Sequence, residues 1–276
     1  MIEIEVHALA TLLPVLYLIA TFLYGMELGG PKAPKFRAGR HVVNGILLVV
    51  HLGWLLLLWQ SLGHFPVADP WTAVSFMALS VMLVYLPIEL MTGAPTTGVF
   101  VVGFAFTLQL IGSCLLPLDL SPSGFARSPF FAVHVATALL ATAALLLSGF
   151  FGALYLVLLR QIRAGRFGVL FRRLPDLESL SRLNRGVATL GFVLLTVGVN
   201  IGIWWAHSGA VERLDYTDPK VLPVLVLWLL FGVIGASPWI RGLTGRRAAV
   251  VAVLGASLLI VTLIVTFLPL GSIHEF

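Results

Sequence analysis

Residues 129–185 read PFFAVHVATALLATAALLLSGFFGALYLVLLRQIRAGRFGVLFRRLPDLESLSRLNR. No charged side chain interrupts the run from Pro129 to Leu159, after which Arg160, Arg163, Arg166, Arg172, Arg173, Arg182 and Arg185 follow in quick succession. A helix needs roughly 20 apolar residues to cross the hydrocarbon layer, and this run exceeds that length. The arginine cluster behind it marks the side on which the chain is retained, because Lys and Arg are enriched in cytoplasmic gaps.

The same alternation extends in both directions. Apolar segments are expected at about 7–26, 42–62, 71–91, 97–117, 129–160, 185–206, 220–239 and 248–270. Fourteen of the 17 Lys and Arg residues fall in alternate gaps: Lys32, Lys35, Arg37 and Arg40, the seven arginines above, and Arg241, Arg246 and Arg247. Only Arg127, Arg213 and Lys220 lie in gaps of the other parity, so both termini are expected outside. A hydrophobic content of 59%, a charged content of 11% and a mean hydropathy of +1.03 exclude an ordinary soluble domain. Backbone groups in lipid must pair within their own segment, and the runs lack the strict alternation of barrel strands. The expected fold is therefore all-α: one polytopic bundle of about eight transmembrane helices over residues 1–276, in a bacterial inner membrane. The net charge of +5 follows from the positive-inside bias and contact with anionic lipid, with no nucleic-acid partner implied.

Several details refine this picture. Glu3 and Glu5 stand where a signal peptide would carry a basic leader, so the first segment is read as a permanent helix. The single cysteine, Cys114, forms no CxxC motif and is expected to be a packing residue. The stretch Gln161–Arg185 is expected as a basic cytoplasmic loop, in which Phe167, Val169, Leu170 and Phe171 have the spacing of a short surface helix. Leu177, Leu180 and Leu183 recur at helical spacing, which starts the sixth long helix before it enters the membrane. Glu89 and Tyr85 lie near the inner end of the third segment, where snorkelling of Glu89 to the aqueous edge is expected over a proton-relay role.

The histidines gather at one face. His64, His207 and His274 fall outside and His134 lies one to two turns below that surface. Imidazole is an axial ligand of haem iron, and two such ligands from different helices can hold the macrocycle between them. His134 and His274, at comparable outer depth, are the candidate pair for iron. His51 lies mid-membrane, with two readings: a ligand for a second haem, or a hydrogen-bond partner for a neighbouring helix. His207 and the interfacial pair Trp204 and Trp205 are placed to line the outer site. Asp218 before Pro219 is a good helix start, with Asp as cap and Pro in the first turn. No nucleophile–base pairing, phosphate-cradling loop or carboxylate cluster emerges, so no catalytic residue is expected.

Six stretches, in order, resemble a known family: GHFPVADPWTAVSF, AVHVATALLATAALLLSGFFGALYLVL, LESLSRLNRGVATLGFVLLTVGVNIGIWWA, DYTDPKVLPVLVLWLLF, RGLTGRRAAVVAVLGA and the final GSIHEF. The chain is similar over roughly residues 60–276 to the cytochrome c assembly proteins of the HemX and CcsA type, relatives of the haem-handling CcmC proteins. The resemblance implies an outer haem platform in the loop at about 204–220, with axial ligands at His134 and His274 and non-covalent haem b as cofactor. It also implies partners among cytochrome-assembly or respiratory membrane proteins. The chain departs from the pattern in two places. The tryptophan run before Asp-Pro-Lys is replaced by GAVERLDYT, leaving Trp204, Trp205 and Tyr216, and GVIGASPWIRG stands where larger members carry an inner histidine. These departures are closest to the smaller HemX-like branch, associated with haem binding and, in some members, with control of glutamyl-tRNA reductase abundance. Two other readings stay open: a cytochrome b-like electron-transfer or anchor subunit, in which His51 holds a deeper haem, and a regulatory scaffold acting through the basic loop.

Overall fold

Long apolar runs become long helices, and their ends fall where the local chemistry stops them. The computed structural model describes residues 2–29, 34–93, 95–117, 127–207 and 221–267. Nine helices are formed among them: α1 (Ile2–Gly29), α2 (Pro34–Leu62), α3 (Pro70–Thr92), α4 (Gly98–Cys114), α5 (Pro129–Arg163), α6 (Val169–Arg173), α7 (Leu177–Trp205), α8 (Val221–Gly235) and α9 (Arg246–Phe267). Among the described residues there is no strand, and seven of these helices are long and apolar enough to cross a membrane. The chain is an all-α polytopic membrane bundle.

Asp69 shows how such a boundary is set. Its Oδ1 accepts the backbone N–H groups of Trp71 at 2.9 Å and Thr72 at 3.1 Å, and Pro70 occupies the first turn. Two of the four N–H groups that every helix start leaves unpaired are thereby satisfied. At the other end of α3, Gly93 takes φ 61° and closes the helix in the left-handed region that favours glycine.

The helices form two halves. In the first, α1 packs on α2 and α4, and α3 on α4; in the second, α5 packs on α7 and α9, and α8 bridges α7 and α9. Contact between α3 and α5 joins them. Lipid supplies no hydrophobic drive between helices, so close approach relies on small residues. Gly149 and Gly152 of α5 face Ala249, Ala252 and Ala256 of α9, and a Cβ at Gly152 would lie 2.9 Å from the Ala249 carbonyl oxygen.

Four expectations are corrected. The basic stretch Gln161–Arg185 is mostly helical, because α5 runs on to Arg163 and α7 starts at Leu177, leaving only 164–176 with α6 inside it. The start of α7 at Leu177 is as expected: Asp176 caps it, accepting the Ser179 N–H at 2.7 Å. The seventh expected span, 220–239, ends as α8 at Gly235; Ser237–Trp239 forms a 3-10 turn instead. Pro238 lacks an N–H and its ring clashes with a continuing helix. Cys114 is exposed at the end of α4. Finally, Glu89 does not snorkel. It is buried, as are Glu27 and Arg40.

Candidate functional site

The basic-residue end of the bundle is termed inner, and the opposite end, where α5 begins and α7 ends, is termed outer. At the outer end, residues of α5 and α7 build one cluster. Phe130 meets Trp204 edge-on with ring centroids 4.3 Å apart, and Phe131 meets Trp205 at 5.6 Å. Just below them, Nδ1 of the half-buried His134 lies 2.8 Å from the Gly198 carbonyl oxygen of α7. A carbonyl only accepts, so Nδ1 carries the ring proton and Nε2 holds the lone pair. Among the described residues Nε2 has no hydrogen bond. Ligating histidines are held this way, with one nitrogen donating to a backbone carbonyl and the other presented to the metal.

Gly202, one turn along α7 from Gly198, makes room for the ring. A Cβ at that position would lie 2.7 Å from both Cε1 and Nδ1 of His134. The spacing Gly198–x3–Gly202 therefore shapes an imidazole-sized notch in α7. His207 lies exposed at the end of α7, its Nδ1 2.8 Å from the Ile203 carbonyl oxygen of its own helix, and Trp204 is exposed beside it. The structure thus gathers His134, Trp204 and Trp205 along the α5–α7 contact, with His207 at the end of α7. Two predicted members, Asp218 and His274, lie outside the described residues.

His51 stands apart. It is fully buried in the first half, with Nδ1 3.1 Å from the Tyr17 hydroxyl and Nε2 3.3 Å from the Ser75 hydroxyl. Ser75 in turn donates to Gln109 Oε1 at 2.8 Å. Both ring nitrogens are engaged and the ring is edged by Tyr17 and Trp54. Of its two readings, this geometry favours the hydrogen-bond partner.

Two features escaped the sequence reading. His64, 4% exposed, has Nδ1 3.0 Å from the Phe65 carbonyl oxygen, which leaves the Nε2 lone pair buried with no hydrogen bond among the described residues. The second lies at the inner end of the first half. Arg40 Nη1 is bonded to Glu27 Oε2, and Arg40 Nη2 stands 2.8 Å from Glu89 Oε1. Tyr24 donates to Glu89 Oε2, Asn44 Nδ2 donates to the Tyr24 oxygen at 3.0 Å, and the Tyr85 and Thr97 hydroxyls meet at 3.1 Å. Glu27, Arg40 and Glu89 each sit at the inner end of their helix. Opposite charges at equal depth are the signal that could have revealed the cluster.

Comparison with known sequences gives a consistent result. The sequence model of the family described as Cytochrome C assembly protein matches residues 42–273. Relatives named cytochrome c biogenesis protein CcsA include one from Prochlorococcus marinus (strain MIT 9303), 27% identical over 252 residues, covering 80% of this chain and 79% of that protein. One from Synechococcus sp. (strain CC9902) is 28% identical over 260 residues, covering 85% and 84%. Another, from Pyropia yezoensis, is 25% identical over 280 residues, covering 86% of each.

Proposed function

Because the chain belongs to the cytochrome c assembly protein family, we propose that it is a membrane haem-binding protein working in cytochrome c assembly or haem supply, with non-covalent haem b held near the outer face by His134 and His274. The observation that carries this reading is the His134–Gly198 hydrogen bond, which orients the imidazole and keeps Nε2 available. Bound haem would supply an iron centre that takes two imidazole ligands.

The chain's own residues do the rest. Gly202 leaves space for the ring, and the Phe130–Trp204 and Phe131–Trp205 pairs give the site an apolar, aromatic wall that limits water. His207 and the stretch to Lys220 would line the outer rim, with Asp218 capping the helix that follows. Its partners would be other membrane proteins of cytochrome assembly or respiration, together with the lipid around it. Placement in the HemX-like branch rests on the replaced tryptophan run and on GVIGASPWIRG standing where larger members carry an inner histidine. Outer and inner correspond to the exterior and the cytoplasm by the distribution of Lys and Arg.

The test is spectroscopic. Protein purified in mild detergent should show an oxidised and reduced b-type spectrum with a bis-imidazole signature, and His134→Ala and His274→Ala should each lose it. Unchanged spectra in both variants would remove the assignment.

A further inference from the structure

The inner cluster borders a cavity of about 300 Å³ between α2 and α3, two helices that barely touch along their backbones. His41, Asn44, Gly45 and Leu48 line it from α2, and Met82, Leu83, Leu86, Pro87, Glu89 and Leu90 from α3. Leu83 and Leu90 are exposed on the outside of the bundle, so its mouth opens toward lipid.

The hydrogen-bonding state of its polar wall follows from counting protons. Tyr24 has one hydroxyl hydrogen, and that hydrogen is on Glu89. Tyr24 therefore only accepts from Asn44, which fixes the amide with Nδ2 toward Tyr24. Asn44 Oδ1 is consequently a buried acceptor with no donor among the described residues, in a side chain only 4% exposed. The Glu89 carboxylate, 3% exposed, adds a second acceptor to the wall: its Oε1 is ion-paired with Arg40 without an aligned hydrogen bond. Arg40 spreads its two terminal nitrogens over Glu27, Glu89 and, at 3.4 Å, His41 Nε2. Two carboxylates thus share one guanidinium. A phospholipid phosphate or porphyrin propionate in the cavity would face the Glu89 carboxylate.

A cavity that opens to lipid, repels anions and presents unfilled acceptors selects a neutral amphiphile with a hydrogen-bond-donating head. Gly45 adds no side chain to one wall and Pro87 faces it with a ring, while the Met82 thioether is suited to an aromatic face. We propose that this crevice binds the hydroxylated ring of a membrane-soluble quinol, one hydroxyl donating its hydrogen to Asn44 Oδ1 and the apolar tail leaving past Leu83 and Leu90. No electron transfer is part of the proposal.

The reduced and oxidised forms of one molecule provide the test, because they share a shape and invert the hydrogen bonding. Decylubiquinol carries donors for the unfilled Asn44 Oδ1, whereas decylubiquinone offers that atom only a further acceptor. Binding of each to the full-length protein in nanodiscs, measured anaerobically, should favour the quinol by tenfold or more. Gly45→Phe should weaken quinol binding at least tenfold while leaving thermal unfolding and haem content as in the wild type, since nothing lies within 4 Å of a Cβ built there. Asn44→Leu should weaken the quinol more than the quinone. Equal affinities, tighter quinone binding or an unaffected Gly45→Phe variant would overturn the proposal. So would displacement of the quinol by phosphatidylglycerol, which would assign the crevice to an anionic lipid, or by dioleoylglycerol at matching affinity, which would assign it to any hydroxylated lipid. The unchanged haem content of Gly45→Phe separates failure here from failure of the outer haem site.

Discussion

His134 donates from Nδ1 to the Gly198 carbonyl at 2.8 Å, and this one bond decides which ring nitrogen faces outward. The acceptor is backbone, so the contact is protected from substitution, but the notch around it is not. A Cβ at Gly202 would stand 2.7 Å from the ring. Gly202→Ala should therefore rotate or expel the imidazole. Haem retention should fall about tenfold, the loss typical when support around a metal ligand is disturbed. Pyridine-haem quantification against wild type checks this, with circular dichroism confirming that the helices persist.

His51 should behave in the opposite way. Replacing it by Leu leaves the Tyr17 hydroxyl without its ring partner in a dry core, which costs roughly 1–3 kcal/mol of stability. Haem content should stay at the wild-type value. A thermal unfolding series with parallel haem quantification tests both halves of the statement. Loss of haem with unchanged stability would restore His51 as a ligand.

The Glu27–Arg40–Glu89 cluster predicts a contrast between breaking and replacing. Arg40→Met alone strands two buried carboxylates and should cost about 3–5 kcal/mol. Substituting all three by apolar residues of similar volume should recover most of that loss, since buried ion pairs gain little over good apolar packing. Unfolding midpoints of the single and triple variants in one detergent give the comparison.

Asp176 makes the cap of α7 sensitive to pH. The Ser179 backbone N–H, and then its hydroxyl, favour the ionised carboxyl and hold its pKa below the usual carboxylate value. A pKa lowered on folding means the contribution is fully present above the unfolded value and is lost as pH falls through the folded one. Amide exchange at residues 177–180, corrected for intrinsic rates, should therefore lose protection in that acidic window. Asp176→Asn should cap without the pH dependence.

The spans were legible because length and apolarity of a run are local properties. Asp69 and Asp176 set their helix starts by contacts within one turn, a signal of the same local kind that the sequence reading left unused. His134 was legible from depth, but its Gly198 partner is 64 positions away and no spacing rule announces it. Glu89 was misread because proximity to the membrane edge suggests snorkelling, while its burial depends on Arg40 and Tyr24 arriving from two other helices. The six arginines of 161–185 made it look like a loop, although charge at a helix end opposes helical structure only weakly.

Arg40 also constrains how the protein is made. A lone guanidinium costs about 2.5–3.5 kcal/mol at the centre of a membrane helix on insertion scales, less near the end where Arg40 sits, and is unfavourable there while unpaired. One partner, Glu27, lies on the immediately preceding helix, whereas Glu89 is synthesised 49 residues later (89 − 40). The charge is thus neutralised within the first hairpin, which can leave the translocon as a unit. The second carboxylate arrives afterwards, together with a helix that needs Tyr24 already in place to receive it.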